Sequence, residues 1–314
     1  MALTIGIVLL GFAGALSAQD VIEEVEVTGE RAGPGLWRVS SGDNVAWILG
    51  TLNPLPKRMT WRSREVEAVL EEAQEVIPIG PKVDVNAGLF TRLRLYMQFR
   101  RVTRVPEDAM LKDWLSPELY ARFSALKARY DSGNRRVEDL QPMFAALRLY
   151  QRALDESGLT PRNNVETTVL KLARKHRVSI RQTALKVEDP RGLVKELGDI
   201  PRAEQVRCLE AIVERLETDL ETMKAGARSW AMGDVAALRA LPYPRELDVC
   251  TSAAGNSRQL NELIAEVTKG WDASLEAALA TNRTTLAMRP IYELLGPNGT
   301  LAALRAKGYQ VEGP

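Results

Sequence analysis

Two short apolar runs, residues 36–39 and 45–49, are rich in Trp and β-branched side chains and flank Ser40-Ser41-Gly42-Asp43-Asn44. Runs of that length around Gly and Asn predict a β-hairpin. The period then changes. Val66, Val69, Leu70 and Ala73 recur at helical spacing, with Glu65, Glu67, Glu71 and Glu72 off that face and Ser63 placed as a cap; this predicts a helix with one core-facing side. Val76-Ile77-Pro78-Ile79 reads as a short strand in which Pro78, lacking a donor, marks an edge or a strand end.

Helical spacing dominates the middle of the chain. Over residues 87–101, Leu89, Phe90, Leu93 and Met97 form a stripe while Arg92, Arg94, Arg100 and Arg101 fall mostly elsewhere. A basic amphipathic segment of this kind can touch a membrane surface or an acidic ligand. The plainer reading is a packed helix with a solvated arginine face, its charge balanced by Glu107, Asp108 and Asp113. Ser116-Pro117 opens a further helix carrying Leu119, Phe123 and Leu126 inward, and Pro142 opens another with Met143, Ala146, Leu147 and Leu154 inward and Gly158 as its stop. These helices are expected to form a cap on the sheet over about residues 84–158.

Residues 163–180 predict a helix and a strand, with Lys175-His176-Arg177 at the helix end, where the dipole favours cations. Residues 201–228 give the longest helical pattern, with Val206, Leu209, Val213, Leu216, Leu220 and Met223 inward, and residues 258–282 give a second long one carrying Trp271, Leu275 and Leu279. Residues 284–288 and 309–312 read as strands around Gly296-Pro297-Asn298-Gly299 and a short helix stopped by Gly308. Strands therefore cluster at the two ends. The fold class is α+β: a central mixed sheet built from N- and C-terminal parts, with a large helical insertion between them.

Composition changes the picture only at the N-terminus. The first residues, an apolar run followed by Ala15-Leu16-Ser17-Ala18, fit a secretory signal peptide over 1–18 despite an n-region without Lys or Arg. The expectation is an exported, periplasmic or secreted chain with a single domain over 19–314 and no transmembrane segment after cleavage. With 45% hydrophobic and 26% charged residues the chain can bury a sizeable core. A formal net charge of +1 gives no drive towards nucleic acid. The two cysteines, Cys208 and Cys250, are an even number in an exported chain, which favours a disulfide.

The candidate chemistry lies where the second strand runs out, at Gly50-Thr51-Leu52-Asn53. Open α/β sheets place their sites at such strand ends. The run 36–53, the helix-bearing EEAQEVI and the tail LLGPNGTLAALRAKGYQVE resemble the TraB/GumN family, which also includes the Tiki-type metalloproteases. The resemblance implies a metal site formed by two Gly-x-x-His motifs and a Glu following the first helix. In this chain the first motif reads Gly50-Thr51-Leu52-Asn53, the second reads Pro290-Ile291-Tyr292-Glu293 ahead of Gly296, and the acidic position falls at about Ile79. Every implied ligand is replaced. His176 is the sole histidine, so neither the paired-His arrangement nor a His-assisted nucleophile can be assembled.

Gly50, Thr51, Asn53, Glu293 and Gly296 are therefore expected to line a pocket with no metal and no cofactor. The reading is a degenerate metal site in a non-catalytic binding or scaffold protein, whose partner is a small molecule or a periplasmic protein. Two alternatives stand beside it: a metal-dependent hydrolase or peptidase with a rearranged site that enlists a further carboxylate, and a structural protein acting through its helical cap.

Overall fold

The computed structural model describes residues 34–314 except 62, 85–87, 163, 242–244, 256 and 297. The expected leader lies outside them, as do parts of the segments around residues 87 and 242–244. The hairpin forms with longer arms than the apolar runs indicate: β1 is Leu36–Ser41 and β2 is Asn44–Thr51. Only Gly42 and Asp43 remain between the arms, and Gly42 takes φ 58°, a conformation that favours glycine. The remaining strands are β3 Leu55–Pro56, β4 Glu75–Ile77, β5 Lys82–Asp84, β6 Leu159–Thr160, β7 Ser179–Ile180, β8 Ala184–Lys186, β9 Thr284–Pro290 and β10 Gln310–Glu312.

Six of these make one mixed sheet in the order β10-β1-β2-β9-β4-β7. The pairs β10–β1 and β1–β2 are antiparallel, whereas β2–β9, β9–β4 and β4–β7 are parallel. β2 and β4, joined by the helix Arg64–Glu72, do not pair with each other; β9 fills the place between them. Residues 285–289 of β9 are accordingly buried throughout, as a parallel strand covered on both faces must be. The N- and C-terminal parts of the chain thus meet in one sheet, as the strand clustering implied. The small pairs β3–β6 and β5–β8 leave no signal in the sequence, because two- and three-residue strands have no period to detect.

Several elements differ from expectation. Pro78 marks the end of β4, one of the two places expected for it, although β4 lies inside the sheet and stops at Ile77 rather than running on to Ile79. The Ser63 hydroxyl donates to the Glu67 carboxylate at 2.5 Å instead of capping the helix backbone. The pattern over 201–228 is two helices, Arg202–Thr218 and Leu220–Ala231, so the longest helix among the described residues is Arg258–Thr281. The break falls at Asp219, whose carboxylate pairs with Arg215 at 2.5 Å and whose carbonyl accepts from Met223. Leu147 is exposed although its helix, Pro142–Glu156, buries Met143, Ala146 and Leu154. The largest departure is the helix Leu89–Val102: none of its residues is buried, and the Leu89, Phe90, Leu93 and Met97 stripe points to solvent.

Two main groups of buried side chains result. One covers the sheet and includes Trp37, Ile48, Leu49, Val66, Leu70, Trp230, Trp271 and Leu286. The other lies among the cap helices, where Phe123, Met143 and Leu149 pack with Cys208, Leu209, Val213 and Leu216. The cap core is thus shared with Arg202–Thr218, beyond the 84–158 segment. A buried polar knot holds the far side of β4: the Glu75 carboxylate accepts from Arg181 Nε at 2.7 Å and Asn282 Nδ2 at 3.1 Å. With its charge and lone pairs satisfied, Glu75 is a structural group.

Candidate functional site

Parallel pairing brings three strand ends to one edge of the sheet. Gly50 lies opposite Arg289 and Thr51 opposite Pro290, while Ile77 of β4 lies opposite Ala287 on the other side of β9. The segments that leave these strands, Leu52-Asn53, residues 291–296 and Pro78-Ile79-Gly80, therefore emerge side by side. This is the edge at which parallel sheets hold ligands.

Gly50 is a packing glycine. A Cβ there would stand 2.4 Å from Ile291 Cδ1 and 2.9 Å from the Trp37 ring, so the strand and the following helix approach too closely for any side chain. Its carbonyl accepts from the buried Trp230 indole Nε1 at 2.8 Å. Thr51, 2% exposed, donates its hydroxyl to the Arg289 carbonyl at 3.3 Å and ties β2 to β9. Asn53 is exposed, and the peptide bond to Pro54 is cis. The first strand-end motif thus spends its Gly and Thr on packing and leaves only Asn53 open to solvent.

On β9 the dominant group is Arg289. Its side chain is 8% exposed, its guanidinium lies over the Trp271 ring at 4.5 Å, and its Nε stands 2.9 Å from Glu293 Oε2. That contact lacks the direction of a hydrogen bond, so its attraction is mainly ionic. Trp271 is fixed in turn by donating Nε1 to the Met288 carbonyl at 3.1 Å. Glu293, in the short helix Ile291–Leu295, is half-exposed and serves as the counter-charge of a buried cation. Gly296 closes that helix, its amide donating to the Tyr292 carbonyl at 3.3 Å and its carbonyl accepting from Gly299 at 2.9 Å. Gly299 is the tighter position, since a Cβ there would meet the Glu293 carbonyl at 2.7 Å.

A carboxylate does stand at the third strand end, but it comes from another element. Glu166, in the first turn of the helix Asn164–Lys175, accepts from the Ile79 amide at 3.0 Å. Burial raises its pKa, and hydrogen bonds from the Ile79 and Gly80 amides oppose the rise without cancelling it. Its sequence signal, an acidic residue in a helix's first turn, is indistinguishable from ordinary dipole compensation. His176 follows the end of the same helix, in a tight turn where Arg177 takes φ 58° and Val178 donates to the Ala173 carbonyl at 2.9 Å. It lies away from the strand-end motifs in sequence and belongs to that turn.

The disulfide between Cys208 and Cys250 is present, joining Arg202–Thr218 to the helix Arg245–Ala254 in the second core. A cleft of about 590 Å³ opens beside the hairpin, lined among others by Leu36, Trp47, Glu65, Val69, Met232 and Pro314. None of Gly50, Thr51, Asn53, Glu293 and Gly296 lines it.

The strand-end donor set does not fit a metal cation. Its exposed oxygens belong to Asn53 and Glu293, and Glu293 is held by a guanidinium that would repel a divalent ion. Among the described residues, no group of three or more His, Cys, Asp or Glu side chains stands close enough to hold one. Among the described residues, too, no helix is long and apolar enough to cross a membrane. Compared with known proteins, the chain has no match among curated proteins or solved structures. A family model described as TraB/PrgY/gumN family matches residues 35–313.

Proposed function

The chain belongs to the TraB/PrgY/gumN family, and on that premise we propose that it is an exported member with a degenerate metal site, one that binds or scaffolds rather than performing metal-dependent hydrolysis. The observation that carries the reading is the Arg289–Glu293 pair. It places a buried positive charge at the strand end where the family resemblance implies a cation, and it occupies the carboxylate of the second motif, Glu293. The Trp230 indole takes the Gly50 carbonyl in the same way. Export is supported by the Cys208–Cys250 bridge, since disulfides persist in oxidising compartments such as the periplasm. The apolar cleft beside Trp47 offers a small ligand a concave, largely hydrophobic surface.

Glu166 supports a second reading, an active hydrolase with a rearranged site. A half-buried carboxyl with a raised pKa at a strand end is the kind of group that exchanges protons with a substrate. A broad peptide and ester hydrolysis screen, run with and without added Zn²⁺ and Mn²⁺, separates the two. The binding reading expects no turnover above buffer under any condition. Turnover that is lost in Glu166→Gln establishes the hydrolase instead.

A further inference from the structure

We propose that the helix Leu89–Val102 docks this protein on the surface of an anionic phospholipid bilayer. The helix is attached to the body by one side only. Gln98 Nε2 donates to the Arg191 carbonyl at 3.0 Å, and Phe99 meets Phe144 edge to face at 6.0 Å. Val102 sits against Gly198, where a Cβ would stand 2.6 Å from the Val102 Cβ. Thr91, Leu95, Gln98 and Val102, half-buried, form this inner side.

The outer side is apolar. Leu89 is 81% exposed, Phe90 83%, and Leu93, Met97 and Tyr96 are each more than half exposed. At about 100° per residue these five side chains occupy roughly 120° of continuous arc. Among the described residues, six of the eleven large hydrophobic side chains that are exposed belong to this one helix. The patch is therefore concentrated rather than the scatter normal for a protein surface.

The charges decide what covers it. By the same spacing Arg94 and Arg101 border the apolar arc on one side and Arg92 borders the other, while Arg100 enters the arc itself in the last turn, its guanidinium 5.9 Å from the Tyr96 ring centre. The helix contains no Asp or Glu. The described acidic residues Glu107, Asp108 and Asp113, expected to balance the arginines, form no ion pair with them; Asp113 instead accepts from the Met110 amide at 2.8 Å. A second copy laid face to face would set four arginines against four. An anionic bilayer matches both features, because apolar side chains enter the acyl boundary while arginines at the rim meet lipid phosphates.

The test is flotation of the purified full chain with vesicles of phosphatidylcholine alone and of phosphatidylcholine mixed with phosphatidylglycerol. Wild type should float with the anionic vesicles and stay down with the neutral ones. Leu89→Ser/Phe90→Ser/Leu93→Ser should abolish flotation. Arg92→Gln/Arg94→Gln/Arg101→Gln should weaken it by about tenfold or more. These positions are exposed, so an unchanged Tm accompanies both losses. Wild type that stays down with anionic vesicles, or floats equally with neutral ones, overturns the proposal. So does undiminished flotation of the serine variant, which would move binding to another part of the chain. Wild type that dimerises in a way the serine variant abolishes, without floating, assigns the face to a second copy.

Discussion

At the scale of single residues, the strand-end positions carry packing and charge pairing before they carry any chemistry. Gly50 is legible in the sequence as a special position, but the reason is visible only when Ile291 and Trp37 close on it. Gly50→Ala should destabilise the protein by about 1–3 kcal/mol, the ordinary range for an overpacked core, as read by denaturant unfolding. Glu166 was not legible, because nothing in Asn164-Val165-Glu166 shows that the carboxyl will reach the backbone beyond β4. Burial holds its folded pKa above the ordinary 4.5. Above the folded pKa the ionised group is carried at a cost, and the fold gains stability as pH falls from there towards 4.5. Glu166→Gln removes the charge and keeps an acceptor for the Ile79 amide. The variant should therefore melt higher than wild type at neutral pH, with the difference closing as pH is lowered to about the ordinary value; an equal difference at all pH values contradicts this cause.

At the scale of elements, the hairpin, the helix Arg64–Glu72, β9 and the C-terminal helix and strand were readable because turn residues and apolar spacing agree there. The helical middle was less so. Periodicity shows that a face is apolar but not which surface covers it, and so Leu89–Val102 reads as a packed helix while the structure leaves its stripe open. Apolar spacing also runs through Asp219, where the axis breaks. The Cys208–Cys250 bridge was foreseen from residue count and compartment, and it links two helices of the second core. Removing it with the double substitution Cys208→Ala/Cys250→Ala should cost about 3–4 kcal/mol on the chain-entropy account, given a sequence separation of 42 residues. Equilibrium urea unfolding checks this, and equal midpoints for variant and wild type would contradict it.

At the scale of the whole molecule, the sheet is completed from its two ends. The hairpin and β4 leave a place that β9 fills, and this pairing sets Gly50 beside Arg289 and Thr51 beside Pro290. The meeting of the two motifs was legible in the clustering of strands at the chain ends. The charge buried at the strand end was not, because Arg289 becomes a buried cation only when Trp271 of the long helix lies over it. We propose that this strand end holds an internal ion pair in place of the cation that the family resemblance implies. Elemental analysis of the purified protein, repeated after incubation with Zn²⁺ and Mn²⁺ and desalting, is the test: substoichiometric metal is expected throughout, whereas stoichiometric metal that disappears in Asn53→Ala or Glu293→Gln would contradict the proposal.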